Sequence, residues 1–189
     1  MRRVIHKLFW IWQLDKEEAW INEMASHGYS LEHAGRFSFE FDETEPDKYK
    51  YKTLFLKGSY NSEENVKYFR FLEEMRINVV SHIEYPGTCC VYTRGLSEDH
   101  PEGLEIYSDI DSKINCLKVS AGYMIFVSAF TLFAAVINIL SALTPANMVW
   151  WLNLTCAVLV SVLCTASVIA TVRIYMKIGK LRKEREIHE

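Results

Sequence analysis

The hydrophobic pattern changes character once along the chain. Up to Lys118, apolar residues alternate with polar ones or recur at helical spacing, whereas Val119 to Val172 contains no charged side chain. Val4–Trp12 is rich in branched and aromatic residues and reads as a strand. Asp15, with Glu18 three residues on, makes a capping-box start for a helix carrying Ala19, Trp20, Met24 and Ala25, and Gly28 is its stop. Tyr29–Phe41 reads as a second strand, bulged near Gly35, and the acidic turn Asp42–Asp47 separates it from a third, Tyr49–Leu56. Asn61 and Glu64 open a second helix, whose apolar stripe is Val66, Phe69, Leu72 and Met75. Ile77–Tyr85 and Thr88–Arg94 form a hairpin across Pro86-Gly87. The order strand, helix, strand, strand, helix, strand, strand predicts an α+β domain of ferredoxin-like, split βαβ type. One antiparallel sheet would carry both helices on one face and the last strand at an edge.

The uncharged stretch is long enough to cross a bilayer twice. A spanning helix needs about 20 apolar residues, and Val119–Leu143 and Val149–Val172 each provide that length. Thr144–Met148, with Pro145, is the connector. Four segments follow: an α+β domain over 1–95, a linker and juxtamembrane helix over 96–118, a transmembrane helical hairpin over 119–172, and a basic tail over 173–189. Within 96–118 the stretch Gly95–Gly103 is the linker, and Leu104–Lys118 is a helix running into the first span. Lys113 and Lys118 precede the spans, Arg173 and Lys177 follow them, and the connector is neutral. Both termini are therefore expected on the cytoplasmic side of the cell membrane, with Trp150 and Trp151 in an interfacial aromatic belt. Ala134, Asn138 and Ala142 in the first span, and Ala157, Ser161 and Thr165 in the second, recur every four residues. Such small faces suit packing within the hairpin, with contact to a second copy or a partner as the alternative. The spans hold no ionisable group for an ion or proton relay, so the hairpin reads as an anchor.

Charge sharpens the division. Residues 1–118 carry 15 Lys and Arg against 21 Asp and Glu, and the tail carries six basic residues against three acidic ones. An acidic front domain argues against direct nucleic-acid binding. The first residues contain no apolar leader, so no cleavable signal is expected. Cys89, Cys90, Cys116, Cys156 and Cys164 show neither metal-ligand spacing nor a disulfide framework, which fits a reducing compartment. His6, His33 and His82 fall on expected strands without the local spacing of a metal site. The Asp42–Asp47 run lacks the glycine and ligand order of a calcium loop. Phosphate-binding glycine loops, the Gly-x-Ser-x-Gly elbow and His-Glu-x-x-His are all missing from the sequence. No catalytic activity, cofactor or metal is expected. Trp10, Trp12, Tyr49 and Tyr51 share strand faces in pairs, either as core packing or as an open interaction face.

Several blocks together resemble a bacterial family of unknown function, number 2812 in the domain-of-unknown-function series. They are Phe9-Trp10-Ile11-Trp12-Gln13, Glu17 and Glu18 before Trp20, Met24-Ala25-Ser26-His27-Gly28-Tyr29-Ser30-Leu31, Phe39-Glu40-Phe41, and Glu45-Pro46-Asp47-Lys48-Tyr49-Lys50-Tyr51. The resemblance covers about the first half of the chain, with the hairpin as a common but variable appendage. It implies a protein often encoded beside PadR-like transcriptional regulators and carries over no catalytic residue. Where the family often has a Gly-Trp pair, this chain has Ile77-Asn78. The expected function is a membrane-anchored cytoplasmic regulatory, sensor or protein-binding module. The alternative is an accessory subunit of a membrane transporter.

Overall fold

The computed structural model describes residues 2–104, 106, 110–144 and 148–188, with side chains described as far as residue 183. The chain divides into two compact units, Met1–Cys116 and Leu117–Glu189. The first unit is α+β and the second is helical, as the hydrophobic pattern predicts.

The first unit contains β1 (Arg3–His6), α1 (Leu14–Ser26), β2 (Tyr29–Ala34), β3 (Ser38–Glu43), β4 (Tyr49–Lys57), α2 (Glu63–Glu74), β5 (Ile77–Tyr85) and β6 (Thr88–Leu96). The strands form two three-stranded antiparallel sheets, ordered β1-β3-β2 and β4-β6-β5. The expected ferredoxin-like single sheet is therefore replaced by two. The reason is local: Tyr29–Phe41 is a hairpin, not one strand, because the chain reverses where the Gly35 amide donates to the Ser38 carbonyl at 2.8 Å. A period-two pattern looks continuous across so short a turn. The first strand is likewise shorter than Val4–Trp12, ending at His6 and giving way to a 3-10 turn at Ile11–Gln13.

Each sheet is a strand, a helix and a hairpin, with the hairpin's second strand inserted between the other two. The same unit thus occurs twice in tandem. Both helices end in a left-handed residue, Gly28 (φ 83°) and Arg76 (φ 61°). Both following strands carry a bulge, at Glu32 and at Val80. Each of these pairs is separated by 48 residues (28 to 76, 32 to 80). The sequences of the two halves show no obvious repeat, because the two sheets meet different neighbours.

Those neighbours define two cores. Leu31, Phe39 and Phe41 of the first sheet pack with Ile21 and Ala25 of α1 against Tyr51, Phe55, Cys90 and Tyr92 of the second sheet. Trp20 closes this core edge-on, its ring 5.1 Å from Phe39 and 5.6 Å from Phe41. The opposite face of the second sheet supplies Leu54, Leu56, Cys89 and Val91, which meet Phe69 and Leu72 of α2 and also Leu104. A sheet covered on both sides needs apolar residues at consecutive positions, hence the unbroken run Cys89–Tyr92.

Helix starts differ from the sequence expectation by a residue. The α1 helix begins at Leu14, so Asp15 lies inside its first turn, where a carboxylate suits the helix dipole. The cap of α2 is Ser62, not Asn61; its hydroxyl accepts from the Asn65 amide. Phe69 and Leu72 are buried as the stripe predicts, Met75 is exposed, and Asn65 turns inward to donate to the carbonyls of Lys57 and Ser59.

Exposed sheet edges invite pairing with other chains, and two of them are sealed by side chains here. At β4, the Asn22 carboxamide accepts from the Tyr51 amide (2.9 Å) and donates to the Tyr51 carbonyl (3.0 Å), while Glu18 accepts from the Thr53 amide (2.8 Å). At β2, the Leu31 amide donates to the Tyr51 hydroxyl (2.9 Å), and the Ala34 carbonyl accepts from Ser81 (3.1 Å). Side chains thus satisfy backbone groups that a neighbouring strand would otherwise take.

Gly28 is needed at its position. Its φ is 83°, and a Cβ there would lie 2.9 Å from the Thr44 carbonyl oxygen, which belongs to the turn that Gly28 itself bonds. Gly28→Ala is expected to destabilise the first unit by about 1–3 kcal/mol, the range for a side chain forced into a sparsely populated backbone region. Urea unfolding of the full chain in mild detergent measures this; an unchanged midpoint would contradict it.

The stretch 96–104 folds back on β6 instead of standing free. The amides of Asp99 and His100 donate to the Leu96 carbonyl, and a Cβ on Gly95 would lie 2.7 Å from His100 and 2.8 Å from Leu104. The helix expected over Leu104–Lys118 begins at Ile110 as α3 (Ile110–Ala142); residues 105 and 107–109 of that expectation lie outside the described residues.

The second unit comprises the rest of α3 and the whole of α4 (Trp150–His188). Both helices are long and apolar enough to cross a membrane, with a mean hydropathy of 2.2 in each. Burial separates this case from a soluble core helix: only 6 % of the apolar window of α3 and 17 % of that of α4 are buried. Phe126, Phe130, Leu159 and Val162 stand open, an apolar surface far beyond what a water-soluble protein leaves bare. Ser128 and Ser167 share a hydrogen bond of 2.7 Å between the helices, and the Cys164 thiol donates to the Ser128 carbonyl. Pro145, Ala146 and Asn147 of the expected connector lie outside the described residues.

Candidate interaction surfaces

The four aromatic residues singled out from the sequence form two separate pairs. Trp10 and Trp12 stand beside and within the 3-10 turn, not on a strand, and stack on each other at 5.2 Å with planes 5° apart. Trp10 is about half exposed. Tyr49 and Tyr51 lie on one face of β4 with ring centroids 6.5 Å apart. Tyr51 is buried and bonded to β2; Tyr49 lies under the Arg94 guanidinium at 5.0 Å. The Trp pair is thus open and the Tyr pair is built into the seam between the sheets.

Arg94 organises that seam. Its guanidinium donates to Glu32 (2.7 Å), Ser30 (2.9 Å) and the Leu31 carbonyl. Burial works to raise the Glu32 carboxyl, but the hydrogen bonds and charge of Arg94 outweigh it and hold the group below its ordinary value. Glu32 is the bulge residue of β2, so the bulge aims the carboxylate at Arg94 on the other sheet.

A polar cleft of about 420 Å³ lies on the side of α1 and β4. Glu18, Asn22, Lys50, Lys52 and the turn Pro101–Leu104 line it. Both lysines are paired, Lys52 to Glu18 at 3.1 Å and Lys50 to Asp47 at 3.5 Å.

Glu17 is the unusual group of the first core. It is buried, and its Oε1 accepts from the Tyr92 hydroxyl at 2.5 Å. Burial pushes its carboxyl above the ordinary value, with the Tyr92 hydrogen bond opposing in part, and burial raises Tyr92 as well. A carboxyl raised on folding favours the native state most when protonated. Its contribution is complete below the unfolded value and is lost as the pH rises through the folded one. The native unit is therefore expected to lose stability between the ordinary carboxylate range and the raised value, and Glu17→Gln is expected to abolish that slope. Thermal unfolding of both proteins across this range tests the point; parallel profiles would contradict it. The sequence did contain a signal for Glu17: it falls in helical phase with Leu14, Ile21 and Ala25, the buried face of α1. Nothing comparable marked Asn22 or Arg94, whose roles depend on strands distant in the chain.

The remaining candidates are dispersed. Cys89 and Cys90 point to opposite faces of β6, Cys89 into the second core and Cys90 into the first. Burial pushes Cys89 up to about 11 and Cys90 well above the ordinary thiol value, so both remain thiols. His33 meets Ser81 at 3.3 Å, His82 stacks on Tyr60 at 3.9 Å, and His6 is exposed on β1. Among the described residues, no three His, Cys, Asp or Glu side chains converge as a metal site. The Asp42–Asp47 run is the end of β3 and most of the β3–β4 turn, with Asp47 at φ 56°.

In the hairpin, Ala157 is buried, whereas Ser161 and Thr165 are exposed and bond the carbonyls of Ala157 and Ser161 on their own helix. Ser161 and Thr165 line an apolar groove of about 570 Å³ with Leu154, Val158 and Ile169 of α4 and Ile139 of α3. Asn138 donates to the Ala134 carbonyl on its own helix, and Ala134 and Ala142 are half-buried. Hydrogen bonds across the helices come instead from Ser128 with Ser167 and from Cys164 to the Ser128 carbonyl, pairs that no four-residue spacing within one span reveals.

No curated protein and no solved structure matches the chain. A family model described as a protein of unknown function matches residues 13–129, from the last residue of the 3-10 turn through β2–β6 and into α3. The match thus takes in both helices and five of the six strands of the first unit, all but β1, and the start of the apolar part of α3. On this evidence the chain belongs to the DUF2812 family of proteins of unknown function.

Proposed function

We propose that the chain is a membrane-anchored regulatory or sensor module whose first unit binds a protein partner on the cytoplasmic face. The observation that carries this reading is the course of α3. Its first turns belong to the first unit: Ile114 and Cys116 are buried, and Lys113 pairs with Asp15 at 3.1 Å. The same unbroken helix then continues as the apolar segment. One helix therefore contributes residues to the folded core and to the apolar segment, a continuity that a device reporting on one to the other requires. Lys113, Lys118, Arg173 and Lys177 flank the apolar segments and support cytoplasmic placement of both ends. The acidic first unit suits a protein partner better than nucleic acid, and a PadR-like regulator is the partner that the family resemblance suggests. No catalytic step is assigned to the chain. Affinity purification of the full chain in mild detergent, with transcript comparison after deletion, tests the reading. A specific co-purifying protein is expected; recovery of none, with unchanged transcription, would overturn it.

The groove beside Ser161 and Thr165 favours a second reading, an accessory subunit of a membrane transporter. Small side chains turned away from the hairpin leave room for another helix to approach. A photo-crosslinker at position 161 would capture a permease subunit if this reading holds. Products confined to the hairpin would remove it.

A further inference from the structure

The first unit leaves few large apolar side chains in water, and four of them gather in one place. Val4, Leu8 and Trp10 lie on β1 and the stretch after it, and Phe37 lies in the β2–β3 turn; Phe71, Met75 and Leu96 are elsewhere. Phe37 is 64 % exposed, Leu8 51 % and Trp10 48 %. The geometry holds these groups together. The Lys7 amide donates to the Phe37 carbonyl at 3.2 Å, which fixes the turn beside the end of β1. Phe9 packs inward against Trp20 and Phe39, so alternation along the extended chain turns Leu8 and Trp10 outward. Trp12 stacks beneath Trp10 and supports it.

The same rim is basic, although residues 1–118 are acidic in total. Arg2, Arg3, Lys7 and Arg36 lie along it, and Lys7 sits over the Trp20 ring at 4.2 Å. Glu40 faces it from β3 and pairs with Arg2 at 3.4 Å, and Asp42 follows two residues along the same face. A second copy of the chain fits this rim poorly. Antiparallel pairing along the edge of β1 would set Arg2, Arg3 and Lys7 against the same cations of the copy, and like charges on facing strands repel. An aromatic and aliphatic rim edged with cations fits the interfacial zone of a bilayer that contains anionic lipid.

We infer that the rim formed by Leu8, Trp10, Phe37, Lys7 and Arg36 docks the first unit onto the surface of an anionic membrane. The inference rests on the membrane-anchored reading. Leu8, Trp10 and Phe37 enter the headgroup–acyl boundary while Lys7 and Arg36 meet lipid phosphates. Docking then depends on lipid charge and on salt, since each basic side chain near an anionic surface changes partitioning about fivefold.

The test uses the full chain carrying Trp150→Phe and Trp151→Phe, reconstituted in nanodiscs of brominated phosphatidylcholine with or without phosphatidylglycerol. Bromine quenches only tryptophans at lipid depth. Quenching is expected in the anionic discs, reduced by high salt and by Lys7→Glu with Arg36→Glu. It is also expected to vanish when Trp10 and Trp12 are replaced by Phe, which leaves the partly buried Trp20 to report that the unit is folded. Quenching no greater than in the Trp10→Phe, Trp12→Phe protein, or equal in neutral and anionic discs, would overturn the inference. Failure of the chain to enter nanodiscs at all would overturn the membrane-anchored reading as well.

Discussion

Phe41→Ala is expected to cost the first unit about 3–5 kcal/mol, the range for deleting a buried aromatic side chain and leaving its cavity. Phe41 is completely buried at the centre of β3, with Leu31 opposite it on β2 and Arg3 on β1. Its ring meets the Trp20 edge at 5.6 Å, and the surrounding core is shared by α1 and both sheets. Collapse around the lost ring would require the two sheets to move together, which their hydrogen-bonded seam resists. Against a typical total of about 5–15 kcal/mol, the loss is a large fraction of the unit's stability. Urea unfolding of the full chain in mild detergent, followed by Trp20 emission, is the measurement. A cost below about 1 kcal/mol would mean that Phe41 does not sit in a closed core, against the usual range for such sites.

Asn22→Ala is expected to cost about 2–3 kcal/mol, because two backbone groups of Tyr51 lose their partners at once and a buried unsatisfied group costs about 1–3 kcal/mol. The carboxamide is suited to this task as few side chains are: it accepts from the amide and donates to the carbonyl of the same residue. Asn22→Asp separates the two halves of the interaction. It retains an acceptor for the Tyr51 amide but turns a carboxylate toward the Tyr51 carbonyl, so it should be at least as damaging as alanine. Hydrogen exchange in the full chain would show the effect at β4 first. If Asn22→Asp were neutral, solvent and not α1 would be satisfying that edge.

The elements themselves were largely legible in the sequence. Gly28, the apolar phase of both helices and the Pro86-Gly87 turn signal local events, and each appears where its chemistry predicts. Errors arose where one residue had to be chosen among equivalents, as between Asn61 and Ser62 for the α2 cap. The largest error came from Gly35, read as a bulge where it makes a turn. That one reading merged two strands and concealed the tandem repeat, and the single-sheet expectation followed from it.

The candidate surfaces divide in the same way. Trp10 and Trp12 stand out in the sequence as aromatic residues two apart, which share a face on an extended chain. Tyr49 and Tyr51 looked equivalent to them, yet Tyr51 is buried by contacts with β2, twenty residues earlier in the chain. Small-residue spacing marked Ser161 and Thr165, but which face of α4 meets α3 is set by the whole helix pair.

By itself the sequence determined the division into an acidic α+β part and an uncharged apolar stretch of two helical lengths. Both follow from composition and period, which act over a few residues: a run without charge needs no partner to be recognised, and a cap with an amphipathic period marks a helix even though packing must stabilise it. Only the tertiary structure decided that the strands form two sheets, that Asn22, Glu18 and Tyr51 seal their edges, that Glu17 is buried against Tyr92, and that α3 is rooted in the first core. These depend on pairings between residues far apart in the chain, whose stability comes from the joint exclusion of water and not from any local preference.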